Sequence, residues 1–68
     1  MVDFSLTIYS EGSYDRAMEM LTSRSLMFHR SQDGGSTTFE VKGTLNDYLD
    51  FQKEIEERRI SGSITEMA

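Results

Sequence analysis

Leu26-Met27-Phe28-His29-Arg30-Ser31-Gln32-Asp33-Gly34-Gly35-Ser36-Thr37-Thr38-Phe39-Glu40-Val41 is the stretch on which the fold turns. Residues 26–29 and 38–41 are short runs in which apolar residues recur with a period of two, Leu26 and Phe28 in one and Phe39 and Val41 in the other, the signature of a half-buried strand. Between them lies a Gly-Gly step, and glycine readily supplies the positive φ that a tight hairpin turn demands. The stretch therefore predicts a β-hairpin. If Asp33 and Gly34 form the two-residue loop, Phe28 faces Phe39 and Leu26 faces Val41; if Gly34 and Gly35 form it, Phe28 faces Val41. Either register keeps Leu26, Phe28, Phe39 and Val41 on one face, because side chains alternate strictly along a strand. The other face carries Met27, His29, Thr38, Glu40 and Lys42, which a sheet covered on one side leaves open to solvent.

Upstream, Phe4-Ser5-Leu6-Thr7-Ile8-Tyr9 alternates in the same way and predicts a first strand, with Phe4, Leu6 and Ile8 inward. Ser10-Glu11-Gly12 turns the chain, Ser13 is placed to cap a helix, and Asp15 falls in its positive first turn. Tyr14, Ala17, Met18 and Leu21 recur at helical spacing and predict the buried stripe of a helix ending near Arg24, with Met20 at its flank and Arg16, Glu19 and Ser23 in solvent. Downstream of the hairpin, Thr44-Leu45-Asn46-Asp47 approximates a capping box and opens a second helix, with Tyr48, Phe51 and Ile55 inward and an end near Arg59. Residues 60–67 predict a last strand, with Gly62 marking a bulge or a frayed edge. Strand, helix, hairpin, helix, strand with right-handed crossovers is the α+β ferredoxin-like βαββαβ plait: a four-stranded antiparallel sheet with two helices on one face, spanning residues 1–68 as a single domain. The first and third strands are expected at the centre, the second and fourth at the edges.

Sixty-eight residues without cysteine build a small core with no cross-links, so self-association as a homodimer is an expected additional support. The first residues carry no basic segment or apolar run of signal length, and no apolar run approaches the roughly 20 residues of a membrane span, which together with the absent cysteines predicts a cytoplasmic protein without membrane contact. A net charge of −5, with Arg16, Arg24, Arg30, Lys42, Lys53, Arg58 and Arg59 dispersed rather than clustered, opposes direct nucleic-acid binding.

The topology is shared with RNA-recognition domains, which stack bases on aromatics of their two central strands. Here the outward central positions are Ser5, Thr7, Thr38 and Glu40, and only Tyr9 could stack. Ligand-binding ACT-type domains resemble this chain in topology alone; the likeness implies a site at the loop after the first strand, here Ser10-Glu11-Gly12-Ser13, where helix N–H groups could receive an anion against the opposition of Glu11. His29 is the single histidine, and although the hairpin puts Glu40 on its face, no nucleophile completes a catalytic set. Gly34-Gly35-Ser36-Thr37 lacks the lysine of a phosphate loop and reads as turn chemistry. No cofactor or metal is expected, and the chain reads as no enzyme. Asp47, Asp50, Glu54 and Glu57, spaced by three, four and three, line one stripe of the second helix outside the core and could meet a protein partner with a basic surface. These observations predict a small non-enzymatic protein-interaction module acting as a regulator, inhibitor or adaptor of a larger protein. Its candidate contacts are Asp47, Asp50, Glu54 and Glu57 on the helix and Tyr9, Met27, His29 and Glu40 on the open sheet face. The alternatives are an ACT-like small-ligand-binding regulatory domain and an acidic decoy that blocks a nucleic-acid-binding protein.

Overall fold

A computed structural model describes residues 1–67, in the order β1 (Val2–Ile8), α1 (Glu11–Ser23), β2 (Met27–Asp33), β3 (Ser36–Gly43), α2 (Leu45–Glu56) and β4 (Gly62–Met67). The hairpin selects the second of the two registers. Asp33 pairs with Ser36, so Gly34 and Gly35 form the loop, and Phe28 lies opposite Val41. Gly34 takes φ 63°, a left-handed conformation that an L side chain disfavours. The four strands run in the order β2-β3-β1-β4, all neighbours antiparallel, with the first and third strands central. This is the ferredoxin-like βαββαβ plait.

Both helices lie on the face to which the strands send their apolar side chains. Phe4, Leu6, Ile8, Phe39 and Val41 from the sheet meet Ala17, Met20 and Leu21 of α1, Phe51 of α2, and Ile60 from the connection into β4. Phe4 meets Tyr48 edge-on with ring centroids 5.6 Å apart, and Phe28 meets Phe39 likewise at 5.5 Å, a favoured geometry for aromatic pairs. Tyr14, Met18, Phe28, Tyr48 and Ile55 pack around this centre half-buried.

Three local expectations are corrected. The cap of α1 is Ser10, whose hydroxyl oxygen accepts from the Ser13 N–H, and Glu11 supplies the first-turn charge. Ser13 is buried within the helix, its oxygen accepting from the Ser61 N–H at 2.6 Å and from the Ser10 hydroxyl at 2.9 Å. Anchored there, the inward face of α1 reads Ser13, Ala17, Met20 and Leu21, so Met20 is buried and Met18 is at the flank. Gly62 is neither bulged nor frayed: it pairs with Ile8, and a Cβ on it would stand 2.1 Å from the Thr7 carbonyl oxygen. Only glycine lets β4 approach β1 this closely. The capping box of α2 forms as expected, Thr44 accepting from the Asp47 N–H while the Asp47 carboxylate accepts from the Thr44 N–H at 2.8 Å. No helix among the described residues is long and apolar enough to cross a membrane.

Candidate functional site: an uncovered sheet face and a paired acidic stripe

With the apolar positions of β1 and β3 turned toward the helices, strict alternation sends Asp3, Ser5 and Thr7, and Thr38, Glu40 and Lys42, to the opposite side. The pairing registers then define three rows across that open face. They are Met27-Lys42-Asp3-Met67, His29-Glu40-Ser5-Thr65 and Ser31-Thr38-Thr7-Ser63, each written from β2 through β3 and β1 to β4. The third row is tied by hydroxyls: Thr7 and Thr38 share a hydrogen bond of 3.4 Å, and the Tyr9 hydroxyl reaches Ser63 at 3.2 Å. Met27 is 74% exposed, Tyr9 56% and Met67 43%. The first row borders a shallow depression of about 290 Å³ that His29 and Glu40 also line. Within the described residues neither Asp3 nor Lys42 joins an ion pair, although they stand directly opposite each other.

The helix stripe is arranged otherwise. Arg24, just past the end of α1, donates to Asp50 at 2.6 Å and to Asp47 at 3.1 Å. Arg16 donates to Glu54, which Arg59 reaches from its other side at 3.5 Å, and Arg59 also pairs with Glu57 at 3.3 Å. All four carboxylates thus hold guanidinium partners within the chain, and two of these clamps join antiparallel α1 and α2. Glu54 itself is buried, a correction to its placing outside the core. The Asp50 and then the Asp47 hydrogen bonds hold Arg24 above its ordinary pKa, and the Glu54 hydrogen bond does the same for Arg16. Burial by itself would raise Asp47. The Thr44 backbone and hydroxyl donors and Arg24 together outweigh it and leave the carboxyl below its ordinary value.

Of the residues singled out from sequence, Tyr9, Met27, His29 and Glu40 share the open face, with His29 and Glu40 directly opposite, while Asp47, Asp50, Glu54 and Glu57 lie in the helix layer. Sequence reasoning passed over Asp3 and Met67. Extending the alternation of the first strand back by two residues, and that of the last strand to its end, would have found both. It also missed, as partners of the stripe, Arg16 and Arg24, which are remote from it in sequence, and Arg59, two residues beyond Glu57. At the loop after β1, the Ser10 and Ser13 hydroxyls are occupied by each other and by the α2–β4 connection. A groove of about 420 Å³ lies beside that loop, lined by Tyr9, Glu11, Tyr14, Arg30 and the hairpin tip, where Arg30 donates to the Tyr14 hydroxyl.

No known protein family matches this sequence, and no curated protein is significantly similar to it.

Proposed function

We propose that this chain is a non-enzymatic protein-interaction module, a cytoplasmic regulator, inhibitor or adaptor of a protein partner, and that the open face of its sheet is the surface it uses. The observation that carries this reading is the first row of that face. It presents two exposed methionines around an opposed Asp3 and Lys42 that form no ion pair among the described residues. Methionine side chains adapt to varied surfaces, and unpaired charges give a partner something to recognise. The acidic-decoy reading is the less favoured because each stripe carboxylate already has an arginine of the same chain as its ion-pair partner, three arginines serving the four. The ACT-like reading loses support because the loop it invokes has its serine hydroxyls committed internally.

The test is affinity capture from the source cell with the wild-type chain, Met27→Asp and Asp50→Lys, read by mass spectrometry. The sheet-face reading expects a partner retained by wild type and Asp50→Lys and lost by Met27→Asp. A partner lost on Asp50→Lys and kept on Met27→Asp overturns it in favour of the helix.

A further inference from the structure

The open face is self-complementary, and in a specific way. Consider a two-fold axis lying in the plane of the face, parallel to the strands and passing between β3 and β1. It stacks a second copy on the first, exchanging β2 with β4 and β3 with β1 while leaving each row at its own level. The first row, Met27-Lys42-Asp3-Met67, then lies on its own reverse. Met27 covers Met67 of the second copy, and Lys42 covers its Asp3. In the third row Thr38 covers Thr7 and Ser31 covers Ser63; in the second Glu40 covers Ser5 and His29 covers Thr65. Methionine meets methionine, ammonium meets carboxylate and hydroxyl meets hydroxyl, and no row sets like charges against each other. A closed two-fold interface requires this kind of self-matching patch.

We propose that the occupant of the open face is a second copy of this chain, docked sheet to sheet in this register. The proposal rests on the interaction-module reading and names its partner. Charge distribution favours it: the three rows carry Asp3 and Glu40 against Lys42, so they are the near-neutral part of a chain whose net charge is −5. Stacked sheets align at about −30° because each is twisted, which sets the axis roughly 15° off the mean strand direction, and the long stem of Lys42 absorbs the lateral shift this imposes on the outer rows. Four strands about 4.8 Å apart and six residues of about 3.3 Å each give a footprint of roughly 400 Å² per copy. The buried total of roughly 800 Å² lies below the roughly 1,200 Å² of stable specific interfaces and in the range of weak, transient ones, so the dimer is reversible.

The test is sedimentation equilibrium from low micromolar to millimolar concentration on five samples: wild type, Lys42→Asp, Asp3→Lys, the double variant Asp3→Lys/Lys42→Asp, and an equimolar mixture of the two single variants. Both positions are exposed, and circular dichroism checks that each variant folds. In this register each single variant sets like charges together at two places, so self-association falls by at least about tenfold. The double variant restores opposite charges and dimerises as wild type does. The mixture forms a heterodimer, all-acidic on one side and all-basic on the other. Single variants that dimerise like wild type overturn this register and point to strand addition at the β2 or β4 edge. A wild type that stays monomeric throughout overturns self-docking altogether, yet leaves the interaction-module reading to be judged by the Met27→Asp capture.

Discussion

The stripe on α2 and the open face of the sheet differ in how they hold charge. The stripe has four carboxylates in eleven residues, and every one is met by Arg16, Arg24 or Arg59. Three rows of the open face have only Asp3, Glu40 and Lys42, and these form no ion pair within the described residues. Charge density along a sequence is therefore a poor guide to charge available at a surface. On the helix Asp47, Asp50 and Glu54 join α1 to α2 and so belong to the architecture. On the sheet the sparse charges join no ion pair among the described residues, which leaves them available to something outside the chain.

Removing the platform that carries both regions gives the largest expected effect. Phe39 is fully buried, packed between the rings of Phe28 and Tyr14. Phe39→Ala should cost about 3–5 kcal/mol, against a total stability for so small a domain of about 5 kcal/mol. Urea titration followed by circular dichroism should find the variant largely unfolded without denaturant; a cooperative transition near the wild-type midpoint would contradict the packing described.

The next effect divides the stripe itself. Asp50 has its side chain about half exposed, whereas Glu54 is 7% exposed and receives Arg16 and Arg59. Asp50→Lys breaks a part-exposed ion pair with Arg24 and should lower stability by about 1 kcal/mol. Glu54→Lys places an ammonium in a buried site among guanidinium groups and should lower Tm by roughly 10 °C or more. Equal melting temperatures for the two variants would mean that the stripe is uniform surface after all.

Acid probes the same region more gently. The Asp47 carboxyl sits below its ordinary pKa in the folded chain. Its stabilisation is therefore fully present above the unfolded value of about 3.9 and is lost as pH falls through the lower folded value. Asp47→Ala should melt lower than wild type at neutral pH by about 1 kcal/mol of lost capping, and the difference should shrink as pH drops below about 4. A gap that stays constant down to pH 2 would show that the carboxylate charge contributes nothing there.

Much of the fold was legible because it is locally encoded. Period-two runs, a Gly-Gly turn and a Thr44-Asp47 capping box each act over a few residues, and together they leave one plausible chain order. What sequence reasoning missed depends on distant partners. Ser13 is a plausible cap by local rules, but Ser61, remote in sequence, draws its oxygen inward and leaves capping to Ser10. Glu54 looks like solvent-facing charge until Arg16 and Arg59 converge on it. Gly62 looks like a strand breaker, yet the Thr7 carbonyl of a neighbouring strand leaves no room for any other residue. For the candidate site, alternation alone put Tyr9, Met27, His29 and Glu40 on one face, but pairing Met67 with Asp3 required the β1–β4 register.

The smallest expected effect on stability comes from the open face, and its smallness is informative. Met27 is 74% exposed on an edge strand, where its side chain contributes little to the core. Met27→Thr puts a strand-favouring, β-branched residue there, so the monomer's unfolding free energy at low micromolar concentration should stay within about 0.5 kcal/mol of wild type. The two proteins should diverge only when concentrated. If the open face docks a second copy, wild-type Tm rises with protein concentration by mass action, and Met27→Thr, lacking the thioether that covers Met67 of the other copy, rises less. A Met27→Thr chain much less stable than wild type at low concentration would mean that the methionine is part of the monomer's own packing, and the contrast between a structural helix stripe and an unspent sheet face would fail at its most exposed residue.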